Sequence, residues 1–284
     1  MSTSITSTTA ATTNPAITSK ETIDFREANL AFEGTVSRKY YDEARVGTTI
    51  RWSLISAPNS GAARTKSEGN SGNDITYDAT TETSVTLTFN QHVYSAYELE
   101  EFEENMSIVD LEAKYTKAAA YVVNLNIDDT LAGLVDNFSN TTGTLTVDAT
   151  DDDVRRCLQY LEDANAPMDR RWFAMSPACK NSMLGIDRYA SSDFNRGGGA
   201  NIVRGSFGDI YGLTAWQSTN VEGTNAAGHD NGIYQSDAIA LGMRMQPRTH
   251  KFDDIQNLSR QVAVSAIYGV IETRDDHGTW LQAA

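Results

Sequence analysis

Two hydrophobic periods alternate along this chain, and the switches between them divide it. From Ser107 to Phe138 the stretch SIVDLEAKYTKAAAYVVNLNIDDTLAGLVDNF holds no proline and one glycine, Gly133. Ile108, Leu111, Tyr115, Ala118, Val122 and Leu125 fall three or four residues apart, which predicts one face of a long α-helix. Ser107 is the expected cap, and Asp110 puts a carboxylate near the positive end of the helix dipole. Unbroken, the helix would be roughly 45 Å long at ~1.5 Å per residue. Upstream, Ile50, Trp52 and Leu54 alternate with Arg51 and Ser53, and Val85, Leu87 and Phe89 alternate with Thr86 and Thr88. That period of two predicts the strands of a ribbon. The long connection between them, from Ser56 to Ser84, is rich in Gly, Ser, Asn and Ala. A two-stranded ribbon is marginally stable alone, so this one is expected to become ordered against a neighbour.

Residues 1–20 are Ser/Thr/Ala-rich and lack the apolar surface to offset chain entropy, which predicts a disordered tip. From Glu21 to Gly47, Phe25, Leu30, Phe32, Tyr40 and Tyr41 are single anchors, as in an extended arm with one short helix. Tyr94 to Glu104 reads as a connector into the long helix, and Thr141-Thr142-Gly143 as a chain break after it. A second helix is predicted from about Thr150 to Ala164, with Val154, Cys157, Leu158 and Leu161 on its buried face and Asp151, Asp152 and Asp153 in its first turn. Arg170 to Ser176 reads as a buried strand, and Pro177 opens a short helix. Residues 187–204 form a polar, glycine-rich loop, 205–221 a turn and strands, and 222–231 a further loop. Ile239 to Met245 is one strand and Gln261 to Arg274 a longer one. The longer strand has Val262, Val264, Ala266, Tyr268 and Val270 on one face and Ala263, Ile267 and Ile271 on the other, which predicts cover on both sides, one of them by the long helix. The fold class is α+β, with a small α/β lobe inside it.

Charge narrows the function. The 284 residues carry a formal net charge of −15, and 40% are hydrophobic, enough for a sizeable core. So acidic a surface repels phosphate, which excludes a dedicated nucleic-acid binder but not an acidic wall that encloses nucleic acid without gripping it. Cys157 and Cys179 form no CxxC pair and read as reduced, buried thiols of a cytoplasmic protein. No apolar run reaches the ~18 residues of a membrane span, and the N-terminus lacks the basic and apolar regions of a secretory signal. His92, His229, His250 and His277 have no metal-site spacing. Consecutive acids such as Asp151 to Asp153 do not converge on one ion. Arg196-Gly197-Gly198-Gly199 lacks the Lys-Ser/Thr of a phosphate cradle. No catalytic residue, cofactor site or metal site emerges, and the chain does not read as an enzyme.

Four stretches carry a resemblance: TSVTLTFNQHVYSAYELEEFEE running into the long helix, RRWFAMSPACKNSMLGID, VRGSFGDIYGLTAWQSTNV, and the closing QVAVSAIYGVIETRDDHG. Together with the element order they resemble the major capsid proteins of tailed bacteriophages, with the HK97-like fold, and look closest to the podovirus group. The resemblance implies a disordered tip (1–20), an N-arm (21–46), an extended β-ribbon E-loop (47–92) and a peripheral P-domain (spine helix 93–140, C-terminal strands 231–284) around an axial A-domain (141–230). It implies pentamers and hexamers of this chain that enclose double-stranded DNA in a virion capsid made in the host bacterial cytoplasm. A separate scaffolding protein, a portal protein and a decoration protein are its expected partners, and no membrane is. Some relatives weld subunits by a Lys–Asn isopeptide bond, for which Lys66 and Asn257 have the residue types. The alternatives are an encapsulin-like nanocompartment shell and a soluble α/β enzyme.

Overall fold

The computed structural model describes Glu27 and residues 30–39, 47–55, 82–102, 110–186, 189, 209–224 and 226–284, with single positions at 63, 77 and 80. The tip, most of the arm, most of the ribbon loop with Lys66, Ser107, and the 187–204 loop with Arg196 to Gly199, Tyr189 apart, lie outside the described residues. The chain first forms α1 (Phe32–Thr35), β1 (Thr49–Ile55), β2 (Glu82–Thr88), β3 (Gln91–Glu100) and the long helix α2 (Leu111–Ala132). There follow β4 (Thr141–Gly143), α3 (Asp151–Asp163), β5 (Arg171–Met175), α4 (Pro177–Leu184), β6 (Asp209–Ile210) and β7 (Leu213–Gln217). The last elements are β8 (Gly223–Thr224), β9 (Gly228–Gln235), β10 (Ile239–Asp254), β11 (Ser259–Glu272) and β12 (Gly278–Ala283).

Helix α2 is shorter than its period predicts, and it buries a different face. Asp110, not Ser107, is the cap, its carboxylate accepting from the Ala113 amide at 3.0 Å. The helix stops at Ala132, where the Gly133 amide closes on the Asp129 carbonyl at 3.0 Å, and a 3-10 turn over Val135–Asn137 follows. Its 22 residues span ~33 Å. The buried line is Ala119, Val123, Ile127 and Leu131, while Tyr115 and Val122 of the predicted face are 50% and 49% exposed. Both stripes are apolar. Ala119 and Val123 are the small pair, and they let the helix settle closely on Val264 and Ala266.

Three antiparallel strands lie beneath this helix in the order β10-β11-β3. The stretch read as a connector from Tyr94 is therefore mostly strand. Val93 and Tyr97 face the helix, while His92, Tyr94, Ala96 and Glu98 face away and are exposed. The glutamates, poor strand formers, masked the alternation. Strand β10 runs nine residues past its predicted end at Met245, as an exposed polar extension. The cover expected on both faces of β11 is only partly present. Among the described residues the helix covers one face, whereas on the second Ser265 and Gly269 are buried, Ala263 and Ile267 are half-buried and Gln261 is exposed.

The lobe is built on a seven-stranded sheet in the order β4-β12-β9-β5-β7-β6, with β8 beside β9. Two predictions fail here. Thr141 to Gly143 is a strand parallel to β12, and the loop expected at 222–231 holds β8 and the start of β9, an inner strand between β12 and β5. The sequence GHDNGIYQ reads as loop because it is polar, yet its polar groups are paired inside. Asn231 is fully buried and its amide oxygen accepts from the Ser176 amide at 2.7 Å. Helix α3 matches its prediction. Val154, Cys157, Leu158 and Leu161 are buried, and Thr150 and Asp153 form a capping box. Ser176 caps α4, with Pro177 in its first turn.

Candidate assembly surfaces

The root of the arm joins the two sheets. Asp128 interrupts the apolar line of α2 and is 1% exposed. One of its oxygens accepts from the Phe32 amide at 2.9 Å, and the other from the Asn220 side chain at 2.8 Å. Burial pushes this carboxyl above its ordinary range, against the pull of those hydrogen bonds. Phe32 stacks edge-on against Trp216 at 4.7 Å, and Thr35 shares a buried hydrogen bond of 2.7 Å with the Tyr234 hydroxyl. The chain then crosses to β10, where Ser37 donates to the Ile239 carbonyl and accepts from the Leu241 amide, each at 3.0 Å. Lys39 pairs with Asp237 at 2.8 Å, and earlier in the arm Glu27 pairs with Lys117 at 2.8 Å. The long helix, the lobe and the three-stranded sheet thus share one short segment.

The ribbon pairs Ile50 with Leu87, Trp52 with Val85 and Leu54 with Thr83 on one face, and Arg51 with Thr86 on the other. Leu87 is fully buried at the root, and burial declines outward along the ribbon to Ile55, 75% exposed. At the far end of the three-stranded sheet Phe102, Phe252, Ile255 and Leu258 form an exposed apolar tip. Leu258 holds a positive φ of 47° there, a conformation that costs an L-residue energy. Beside the tip lies an open groove of about 410 Å³ bordered by Glu101, Asp253, Asp254 and Arg260. At the other end of α2, Glu112 accepts from Lys251 and from Arg260 at 2.8 Å, which ties the helix start to the β10–β11 hairpin.

Chemistry-bearing residues are dispersed. Asn257 is exposed in the β10–β11 turn and its amide donates to Asp254 at 2.9 Å. Its suggested partner Lys66 is outside the described residues. His92 and His250 stand on the open face of the sheet, whereas His229 and His277 are buried in the lobe. Asp151 accepts from the hydroxyls of Tyr189 and Tyr211, the latter at 2.7 Å, and pairs with Arg155, an arrangement that anchors loop ends. Among the described residues no group of three His, Cys, Asp or Glu is placed to hold a metal, and no helix is long and apolar enough to cross a membrane. Both cysteines are free and buried. The residues that sequence reasoning missed are Asp128, Gly242 and Gly269. A lone acid within an apolar helix line and two glycines within strands were the available signals.

In sequence, no protein-family model and no curated protein matches this chain. In structure, the whole chain has counterparts. A structure titled for Mycobacterium phage Che8 superimposes with a TM-score of 0.82 at 21% identity, over 94% of this chain and 96% of that one. The capsid of cyanophage P-SCSP1u matches at a TM-score of 0.78 and 13% identity, over 95% of this chain and 93% of its own. The fold is HK97-like. The mature capsid of bacteriophage PhiM1 shares it at a TM-score of 0.72 and 14% identity, over 95% and 91% of the two chains. The HK97-like fold accounts for the peculiar proportions of the chain: a ribbon that leaves the body, a long helix on a narrow sheet, and a compact lobe. Three of the structures that share it are titled as capsids, those of P-SCSP1u, PhiM1 and a native GTA particle.

Proposed function

We propose that the chain is the major capsid protein of a tailed phage, the repeating subunit of an icosahedral shell around double-stranded DNA. The observation that carries this reading is the match of nearly all of its residues to phage capsid structures. The apolar tip, the half-exposed apolar row of the ribbon and the uncovered sheet face support it, because each is surface that only other subunits would bury. In this reading residues 21–46 are the arm, 47–92 the E-loop, 93–140 the spine, and 141–230 the axial lobe, whose sheet β9 and β12 complete. The chain assembles through pentamers and hexamers. A separate scaffolding protein sets curvature, a portal protein occupies one vertex, and a decoration protein is an optional outer partner. The acidic charge of −15 lets the inner wall enclose DNA without holding it.

Negative-stain microscopy of the purified full chain, with and without a scaffolding protein, tests this. Closed shells or five- and six-membered rings are expected, and a small particle of one size under every condition would overturn it. Shells loaded with a cargo protein in place of DNA would favour the nanocompartment reading. A ladder of covalent oligomers on a denaturing gel, lost in Lys66→Arg or Asn257→Ala, would add the isopeptide bond, which forms by amine attack on the carboxamide with release of ammonia.

A further inference from the structure

We propose that Glu272 and Asp275 are a proton-held clasp at the neck between the two sheets, and that losing the shared proton frees the end of α2 from the crossing between β11 and β12. The inference goes beyond the shell reading and does not depend on it.

The arm apart, three chain crossings among the described residues join the three-stranded sheet and its helix to the lobe, and each runs through a 3-10 turn. The first leaves α2 through Val135–Asn137 for β4. The second leaves β9 through Ser236–Ala238 for β10, and the third leaves β11 through Asp275–His277 for β12. The third is tied to both of the others. The Ala238 carbonyl accepts from the amides of Thr273 and Arg274 at 2.7 and 3.3 Å, backbone bonds that no titration touches. Toward α2 the tie is a side chain instead: the Asp275 carboxylate accepts from the Ser139 amide at 2.7 Å. Beside it the Phe138 ring lies on bare backbone at Gly278, where a Cβ would stand 2.2 Å from it, and the Trp280 amide donates to the Asn140 carbonyl at 2.8 Å.

Glu272 governs that tie. It is the last residue of β11 and pairs with Ile239, the first of β10, so the ladder fixes its backbone. Its half-buried carboxyl meets the exposed Asp275, and the proton on Glu272 is donated to the Asp275 carboxylate. Burial and the facing carboxylate keep that proton on Glu272 up to about pH 7. Burial would lift Asp275 too, but the hydrogen bonds from Ser139 keep it ionised. Once the proton passes to water, two carboxylates oppose each other. Glu272 stays on its ladder, so Asp275 on its exposed turn is the one that moves, and Ser139 loses its acceptor. The other charges at the neck have other partners. Asp237 faces Lys39 at 2.8 Å and Arg170 at 3.9 Å. Asp276, Arg274, Asp237 and Arg171 act on His277, and Asp136 acts on Glu222 and Asp230.

Amide exchange of the full chain tests the clasp, followed residue by residue from pH 6.5 to 8.5 and corrected for the chemical exchange rate at each pH. His277 stays mostly neutral over this range, because burial holds it below 6.5. Protection at Ser139 should fall about tenfold, while Thr273, bonded to the Ala238 carbonyl, keeps its protection. Glu272→Gln donates a carboxamide hydrogen to Asp275 and has no proton to lose, so Ser139 should stay protected throughout. Asp275→Asn should also remove the pH dependence, at a lower protection. Circular dichroism identifies which variants fold, and either one decides the matter. A Ser139 profile that falls with pH in a folded variant as it does in the parent overturns the clasp. So does a flat Ser139 profile in the unmodified chain, or an equal loss at Ser139 and Thr273.

Discussion

Gly242 and Gly269 face each other across the β10–β11 ladder, and the root of the ribbon rests in the notch they leave. A Cβ on Gly269 would lie 2.2 Å from the Thr88 carbonyl oxygen, which is backbone, whereas one on Gly242 would meet the end of the Leu87 side chain at 2.5 Å. Gly269→Ala is therefore expected to be the worse substitution, at about 1–3 kcal/mol of stability, with ribbon amides newly exposed to hydrogen exchange. Gly242→Ala should cost less, because a leucine terminus can turn aside. Equal and negligible losses in urea unfolding would show that the notch does not set the ribbon's angle.

Asp128 holds the arm to the body. Asp128→Ala leaves the Phe32 amide and the Asn220 side chain without their acceptor in a buried place, so a loss of about 2–4 kcal/mol is expected. Asp128→Asn keeps an acceptor for Phe32 and should lose less than half of that. Amide exchange at Phe32 to Thr35 reads the effect directly, and fast exchange should appear in the alanine variant before the lobe loosens.

The contribution of Glu272 to stability should fall as pH rises from about 4.5 to 7. Burial and the facing Asp275 carboxylate push Glu272 up to about 7 from an ordinary 4.5. Burial also lifts Asp275, but the hydrogen bonds from Ser139, including its amide at 2.7 Å, outweigh this and hold it low. The folded chain thus keeps a proton on Glu272 that the unfolded chain releases, and between about pH 4.5 and 7 the stability from this group declines. His277 acts at the other end. Burial lowers its pKa below 6.5, so acid charges the unfolded chain first and erodes the fold below that value. Urea midpoints across pH 4.5 to 8.5 should show Glu272→Gln flattening the decline between about pH 4.5 and 7 alone.

Neither thiol should react in the folded subunit. Cys157 and Cys179 are fully buried, and burial pushes both up to about 12, which leaves almost no thiolate. A thiol reagent at pH 8 should modify neither in native buffer and both in denaturant. Rapid native labelling at Cys157 would mean that α3 opens from the lobe sheet.

Legibility in the sequence followed how local the cause was. Helix α3 was readable to its cap, because Thr150 and Asp153 are neighbours and its apolar face has no rival. Helix α2 carries two apolar stripes, and which one is buried depends on Val264 and Ala266, more than a hundred residues away. Strand β9 was hidden because Asn231 and Gly232 look like loop until Ser176 and Val135 are seen against them. The candidate assembly surfaces were legible only as anomalies, chiefly an apolar ribbon row that is half-exposed among the described residues. Their seats depend on pairing across the fold, which no local period records.

Strand β12, residues 278–283, lies between β4 and β9 in the lobe sheet. The ribosome makes β4 some 130 residues before the strand that joins it to the rest. Until then β4 and β9 each expose a raw edge, and the lobe cannot close. Every newly made chain thus carries a delay in its topology. The ribbon emerges early, but the lobe sheet is complete only once β12 has been inserted. Closure of the lobe thereby waits on the strand that joins β4 to β9.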